Sequence, residues 1–340
     1  MHLYEADYNL ILKIMWRHLL QQADEHDMLL PDQWGSRPGK CSIEVVVLKQ
    51  FTYMLAHMLH MPLACFDNDA AACYDRIIPA MAMMACRRLG LPSCLSQLNT
   101  SMLTQAQYRV KTQRGIADIF FLCAFGTGQG SGNSPMIWLA VSLLLIGGMA
   151  ALCKGITIQS PTGNRKAKRN MDAFVDDSTT WVGSFDNPFC TPRQLARQLQ
   201  TSAQTWERLL SGSGGKLQLG KCFFYQMCWK WDTEGQPTLM TNAEMNVDIQ
   251  LIDTPSGTVE SIKKKECTEA HRTLGVWTPP SGGNVTQFGK SKERSDTITE
   301  GVRLNPLARN EALMGYRHIW LPSVGFPLTA WGLHDNQLYQ

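Results

Sequence analysis

Phe174-Val175-Asp176-Asp177-Ser178 places two adjacent carboxylates after two large apolar residues and at the head of a Ser-Thr-Thr-Trp run. Met171, Ala173 and Val175 alternate with Asp172, Phe174 and Asp176, and Thr179 to Val182 is again β-prone. The segment reads as a strand, a tight acidic turn and a second strand, with both acids at a hairpin tip. A rigid turn that holds two carboxylates together against their repulsion suits a hard cation such as Mg²⁺, which takes oxygen ligands. An isolated Asp-Asp pair is otherwise a solvated turn, so the choice depends on the residues around it.

Just upstream, Arg165-Lys166-Ala167-Lys168-Arg169 is a basic run that reads as a solvated loop. Before it, Met136 to Cys153 is an almost unbroken apolar run of 18 residues, at the lower edge of the length that crosses a bilayer. Ser142, Gly147 and Gly148 interrupt it, and the expected placement is an internal helix of a large core. Gly126-Thr127-Gly128-Gln129-Gly130-Ser131-Gly132-Asn133-Ser134-Pro135 delivers that helix, and its four glycines let the backbone approach a partner closely. Further back, Pro62 to Asp69 reads as a short buried strand whose end turns polar, followed by a helix over Ala70 to Leu89. Asp67 and Asp69 share one face of that strand.

On the far side of the hairpin, Pro192 to Leu210 is helical, Leu274-Gly275-Val276-Trp277 reads as a short strand, and Val302 to Trp331 as a last helical region. Near the start, a helical pattern runs from Tyr4 to Leu20. The basic loop Trp34 to Lys40 then leads into a second helix from Ile43 to Leu59.

The 340 residues, 44% hydrophobic and 18% charged, allow about two domains with a sizeable core. A net charge of +3 does not by itself mark a nucleic-acid binder. Eleven cysteines without a Cys-x-x-Cys pair point to reduced thiols, and His57, His60 and Cys65 fit no zinc spacing. Glu5 and Asp7 stand where a signal peptide needs positive charge, so the expectation is an intracellular protein, nuclear or cytoplasmic, that is not secreted.

The order of these segments resembles the reverse transcriptase domain of retroelements, of the non-LTR retrotransposon and group II intron type. Six motifs carry the resemblance, from about Leu30 to near Trp331. Gly35-Ser36-Arg37-Pro38-Gly39-Lys40-Cys41-Ser42 is similar to the family's Gly-Phe-Arg-x-Gly-Arg-Ser, with Ser36 in place of the aromatic. Asp69, Tyr74 and Asp75 match an Asp followed five positions later by an aromatic and then Asp. Gln129-Gly130-Ser131-Gly132-Asn133-Ser134-Pro135 matches Gln-Gly-x-x-x-Ser-Pro. Phe174-Val175-Asp176-Asp177 is the aromatic-x-Asp-Asp motif, with Phe where Tyr is commoner. Gly215 to Lys221 resembles Gly-Leu-x-x-x-x-x-Lys, and Leu274-Gly275 the Leu-Gly of the primer grip.

The resemblance implies an α+β fold, a right-hand polymerase palm of antiparallel sheet backed by helices. It implies partial fingers over 1–61, a palm over 62–285 with a helical insertion about 93–125, and a short thumb-like helical region with a tail over 286–340. It also implies a basic fingers segment ahead of the first helix, which this sequence lacks. The implied activity is RNA-directed DNA polymerisation, a two-metal nucleotidyl transfer of dNTPs to a primer 3′-end. Its cofactor is a pair of Mg²⁺ ions, with Mn²⁺ as a substitute. The partners are an RNA template, a DNA or RNA primer and dNTPs, without a membrane. Asp69, Asp176 and Asp177 are the implied catalytic metal ligands, and Lys221 is the implied donor to the leaving phosphate. Gln129 and Gly130 would line the template and nucleotide site, and Arg37 and Lys40 would contact phosphate or template. Taking Asp69 as the first ligand puts Tyr74 five positions on, where its ring would collide with a 2′-hydroxyl and favour a DNA product. Taking Asp67 would put Ala72 there. The alternative reading is an inactive, N-terminally truncated remnant that only binds nucleic acid. A small membrane protein anchored by Met136 to Cys153 would leave the ordered acidic motifs unexplained.

Overall fold

In the structure, a computed structural model, residues 6–105, 107–113, 115–122, 126–128, 131–160, 162–183 and 190–330 are described. Helices α1 (Ala6–Glu25) and α2 (Ser42–Leu59) precede strand β1 (Leu63–Asp69). Helices α3 (Cys73–Arg76), α4 (Pro79–Arg88) and α5 (Ser93–Gln105) then lead to the hairpin β2 (Gln107–Thr112) and β3 (Gly115–Leu122). Helix α6 (Ser134–Leu152) is followed by β4 (Ile156–Gln159), β5 (Lys166–Arg169), β6 (Met171–Phe174), β7 (Asp177–Gly183) and α7 (Pro192–Gly212). Next come β8 (Phe223–Met227), β9 (Trp229–Trp231), β10 (Pro237–Leu239), α8 (Asn242–Met245), β11 (Gln250–Ile252), β12 (Val259–Ser261) and β13 (Lys263–Lys264). The chain closes with β14 (His271–Thr273), β15 (Val276–Thr278), α9 (Val285–Leu304), α10 (Arg309–Gly315) and α11 (Leu321–Leu328).

β1 is the middle of a five-stranded sheet of order β13-β8-β1-β7-β6. It runs antiparallel to β7 and β8, and β6 runs antiparallel to β7. The expected antiparallel sheet is in fact mixed, because β13 joins β8 in parallel. The fold class is thus α+β with one parallel pair at the edge.

Period-two alternation explains why β1 is buried on both faces. Ala64 and Phe66 pack with Met171, Val182 and Phe224 into the large cluster that holds α6 and α7, whereas Leu63 and Cys65 join Trp181, Tyr225 and Tyr53 of α2 in a second cluster. With apolar layers on either side, the strand stays apolar until its end, and the polar residues Asp67, Asn68 and Asp69 come where the layers stop. The apolar run expected to be an internal helix is α6, with twelve of its side chains buried. Gly148 lets it lie against α7, where an added methyl would come within 3.1 Å of Leu209.

Four local expectations are corrected. The helix expected over Ala70 to Leu89 is broken after Arg76, because Pro79 cannot continue it and starts α4 instead. The basic run is not a loop but β5, paired with β4. Leu274-Gly275 is the turn between β14 and β15 rather than part of a strand, with φ of 48° and 98° at the two residues. The last helical region begins at Val285, not Val302. Gln287 is the only buried residue of α9, so no apolar stripe marks that helix in the sequence.

Candidate active site

Strand register brings the acids together. Asp69 is the last residue of β1 and lies opposite Asp177, the first of β7; Phe174 closes β6 opposite the same Asp177. Val175 and Asp176 therefore form a two-residue turn, and Val175 sits at φ 59°, a conformation that costs a β-branched residue energy. Two clamps hold it. Trp138 of α6 donates its indole N–H to the Val175 carbonyl at 2.6 Å. On the other side, Trp34 N–H donates to the Ala173 carbonyl (2.8 Å), Ala173 N–H donates to the Asp32 carbonyl (2.9 Å), and a methyl on Gly35 would fall 2.3 Å from the Val175 nitrogen.

The segment 213–221 flanks Asp69 from the opposite side. Ala71 N–H donates to the Lys216 carbonyl and Gln218 N–H to the Asp69 carbonyl, at 2.8 and 2.9 Å. Gly214, at φ 91°, passes so close to Arg76 that a methyl there would lie 2.6 Å from the Arg76 carbonyl oxygen. This docking carries Lys221 to Asp69, its Nζ 2.8 Å from Oδ2. The Lys221 side chain is 60% exposed, so the pair adds little stability and leaves the ammonium available.

Tyr74 sits on α3 with its ring edge-on to Trp138, 6.5 Å between centroids. Its carbonyl accepts from Thr127 N–H at 2.7 Å, and Gly126 presses on Asp75 so closely that a methyl would meet Asp75 Cα at 2.9 Å. The glycine loop is thereby fastened to the turn after β1. Gln129 and Gly130 lie outside the described residues.

Asp69 borders two cavities. One, of about 250 Å³, is lined by Asp69, Tyr74, Asp75, Asp176 and Lys221. The other, of about 360 Å³, takes in Asp67, Asp69, Asp177, Lys265, His271 and Leu274. Asp176 and Asp177 thus each share a cavity with Asp69, but not the same one. Desolvation first, and then the Asp69 charge, raises the Asp176 pKa, although backbone N–H groups of the turn pull it down. Desolvation, followed by Asp176, Asp69 and Asp67, pushes Asp177 up to about 6. Crowded carboxylates that resist ionisation are a donor set of oxygen alone, which fits a hard divalent cation. Among the described residues, no group of three or more His, Cys, Asp or Glu side chains is arranged around a single metal position. One Asp69 oxygen is instead paired with Lys221.

Asp67 is separated from Asp69 by its partners. Lys49 of α2 and the Thr179 hydroxyl both donate to its Oδ1. Arg37 is held inside the clamp, donating to the Leu30 carbonyl at 3.0 Å and pairing with Asp24 at 3.1 Å. The Lys40 ammonium lies over the Trp34 ring, 4.8 Å from its centroid. Neither Arg37 nor Lys40 lines the two cavities. His57 and His60 stand edge-on to Trp229, and Cys65 bonds Tyr53.

Residues not singled out in the sequence complete the support. Gln33, fully buried, donates to Ser142 of α6 at 2.7 Å and accepts from Gly35 N–H at 3.0 Å. Asn68 accepts from Ser178 and from the Trp206 indole, tying β1 to β7 and α7. Asp172, buried on β6, pairs with Arg169 and accepts from Trp181. Nothing local in the sequence marks Gln33, whose partner Ser142 is 109 positions away.

No family model matches the chain, and no curated protein matches it. Among solved structures, it is similar to apo telomerase from Candida tropicalis truncated from its C-terminal domain. That match has 13% identity and a TM-score of 0.41, over 75% of this chain and 45% of that one. It is also similar to C. tropicalis telomerase in complex with a TWJ fragment of telomeric RNA, at 12% identity and TM-score 0.43, over 94% of this chain and 45% of that one. The corresponding complex of Candida albicans telomerase gives 12% identity and TM-score 0.43, over 98% and 52%. The chain spans about half the length of these telomerase chains.

Proposed function

We propose that this chain is a reverse transcriptase domain of a retroelement, an RNA-directed DNA polymerase that adds deoxynucleotides to a primer 3′-end on an RNA template. The observation that carries the reading is the meeting, around Asp69, of the segments that hold Tyr74, Asp176, Asp177 and Lys221, which lie far apart in the chain. Asp69, Asp176 and Asp177 would hold Mg²⁺ or Mn²⁺, which when bound supplies the positive charge that activates the primer oxygen and offsets the departing pyrophosphate. The chain's own residues do the rest. Lys221, exposed and already beside Asp69, is placed to neutralise or protonate the leaving phosphate. Tyr74 borders the cavity of Asp69 and Asp176, where its ring excludes a 2′-hydroxyl. Gly126, Thr127 and Gly128 hold the loop whose next residues are expected to line the template. Arg37 and Lys40 act through the clamp on the acidic turn.

Two observations favour a second reading, a remnant that binds nucleic acid without turnover: Lys221 occupies an Asp69 oxygen, and no three-ligand cluster is formed among the described residues. Primer extension on an RNA template with Mg²⁺ decides between the two. Incorporation that is lost in Asp176→Asn supports the polymerase. Binding of primer–template without incorporation in the native chain overturns it.

A further inference from the structure

The hairpin β14–β15 approaches the carboxylates from the side of α9 and is fastened by two buried lysines. Its turn residues, Leu274 and Gly275, both have positive φ, so the two strands are tightly joined. Along β14, His271 and Thr273 are partly buried and lie on one face, while Arg272 between them is exposed. Lys49, with 3% of its side chain exposed, donates to Asp67 Oδ1 on β1, to Thr179 Oγ1 on β7 at 3.3 Å and to Thr273 Oγ1 on β14 at 3.3 Å. Lys265, also buried, lies over the Phe223 ring, pairs with Glu269 and reaches His271 Nδ1 at 3.0 Å. An ammonium only donates, so Nδ1 accepts and the imidazole is neutral with its proton on Nε2. Burial and the Lys265 charge lower its pKa to about 4, in keeping with that tautomer.

We propose that Lys49 and Lys265 are positioning residues, Lys49 tying β14 to β1 and β7 and Lys265 seating it on Phe223 of β8, and that they so fix where the Leu274-Gly275 turn, which resembles the primer grip of reverse transcriptases, and Arg272 stand beside the carboxylates. The primer part rests on the function proposed above. Leu274 and Arg272 line the 360 Å³ cavity shared by Asp69 and Asp177, and Arg272 also lines a groove of about 600 Å³ with Lys290 and Arg294 of α9. Arg272 is therefore the point where the carboxylates and a cationic groove adjoin. Buried ammonium groups are an expensive way to hold a hairpin, since apolar residues of similar volume stabilise as well or better. What they add is direction: Lys49 carries three donors to fixed points on three strands, and one ångström of misplacement near reacting atoms is costly.

Two substitutions remove the hairpin's acceptors and leave each lysine its other partner. Thr273→Val keeps the Lys49–Asp67 pair, and His271→Phe keeps the Lys265–Glu269 pair and a ring on Phe223. In each variant, amide exchange over residues 271–278 is expected to quicken about two- to tenfold, the range of one hydrogen bond, with β1 and α6 unchanged. The KM for primer–template should rise by a similar factor while that for dNTP stays at the native value. Unchanged exchange in both variants overturns the proposal, as does a rise in exchange throughout the sheet accompanied by equal changes in both KM values. If the native chain extends no primer, the polymerase reading falls while the exchange arm still decides whether the lysines lock the hairpin.

Discussion

Gly35→Ala tests whether the early basic loop acts on the acidic turn. In the native packing, the new methyl would lie 2.3 Å from Val175 N, 2.8 Å from Val175 Cγ2 and 3.1 Å from the Phe174 carbonyl carbon. Two of those atoms are backbone and cannot rotate away. To restore ordinary contact near 3.4 Å, the turn has to retreat by about 1 Å. It is held there by the Trp138 indole and by β7, so the retreat strains hydrogen bonds already made. Overpacking of this kind costs about 1–3 kcal/mol, and a displacement of about 1 Å at reacting atoms reduces rate by roughly 100-fold. The expected result is a melting temperature lower by a few degrees and a far larger loss in single-turnover primer extension. Gly289→Ala, inside exposed α9 with nothing within 4 Å, is the control and should keep the extension rate, with melting at or slightly above the native value because Ala favours the helix over Gly. A Gly35→Ala chain with native extension rate and native melting would refute the clamp.

Asp177, held up to about 6, carries a proton in the folded chain between its unfolded pKa of 3.8 and that value, so its contribution to stability falls as pH rises through about 6. Asp177→Asn should therefore melt higher than the native chain at pH 7.5 without divalent ions, and the difference should vanish below pH 4; a pH-independent difference would contradict this. Arg169→Met strands the buried Asp172 carboxylate and is expected to cost about 3–5 kcal/mol in urea unfolding, with much of the loss recovered in the Arg169→Met/Asp172→Asn pair. Tyr74→Val should lower the ratio of dNTP to rNTP incorporation on one primed RNA template while half-saturation by Mg²⁺ stays constant. An unchanged ratio would make Tyr74 a packing residue beside Trp138.

The acidic hairpin was legible because alternation and a two-residue acidic turn are local signals, and the observed strands, Met171–Phe174 and Asp177–Gly183, fall where the pattern places them. Helix α6 was legible for a related reason: burial on all sides leaves an apolar run with no polar stripe. The break at Pro79 was legible in principle, since proline ends a helix, but the apolar residues on either side read as one pattern. Arg169 looked like one more solvated cation, and only the fold reveals Asp172 and Trp181 beneath it. Asp67 and Asp69 could not be told apart by strand phase. Lys49, an unremarkable lysine in α2, pairs with Asp67 and not with Asp69 from 18 positions away. Contacts such as Gln33 with Ser142 leave no local trace, because neither partner's neighbours change their periodicity to accommodate it.

The burial of α6 bears on synthesis as well as on the finished fold. The chain leaves the ribosome with Ser134–Leu152 complete before β6, β7 and the Leu209 turn of α7 that will cover it. At about 5–20 residues per second, those roughly 60 further residues take some 3–12 seconds to emerge. For that interval, this 19-residue and almost wholly apolar helix has no partner from its own C-terminal half. Nascent chains stalled once Leu152 has emerged from the ribosome should bind hydrophobic-segment chaperones strongly, and those stalled once Gly212 has emerged should release them.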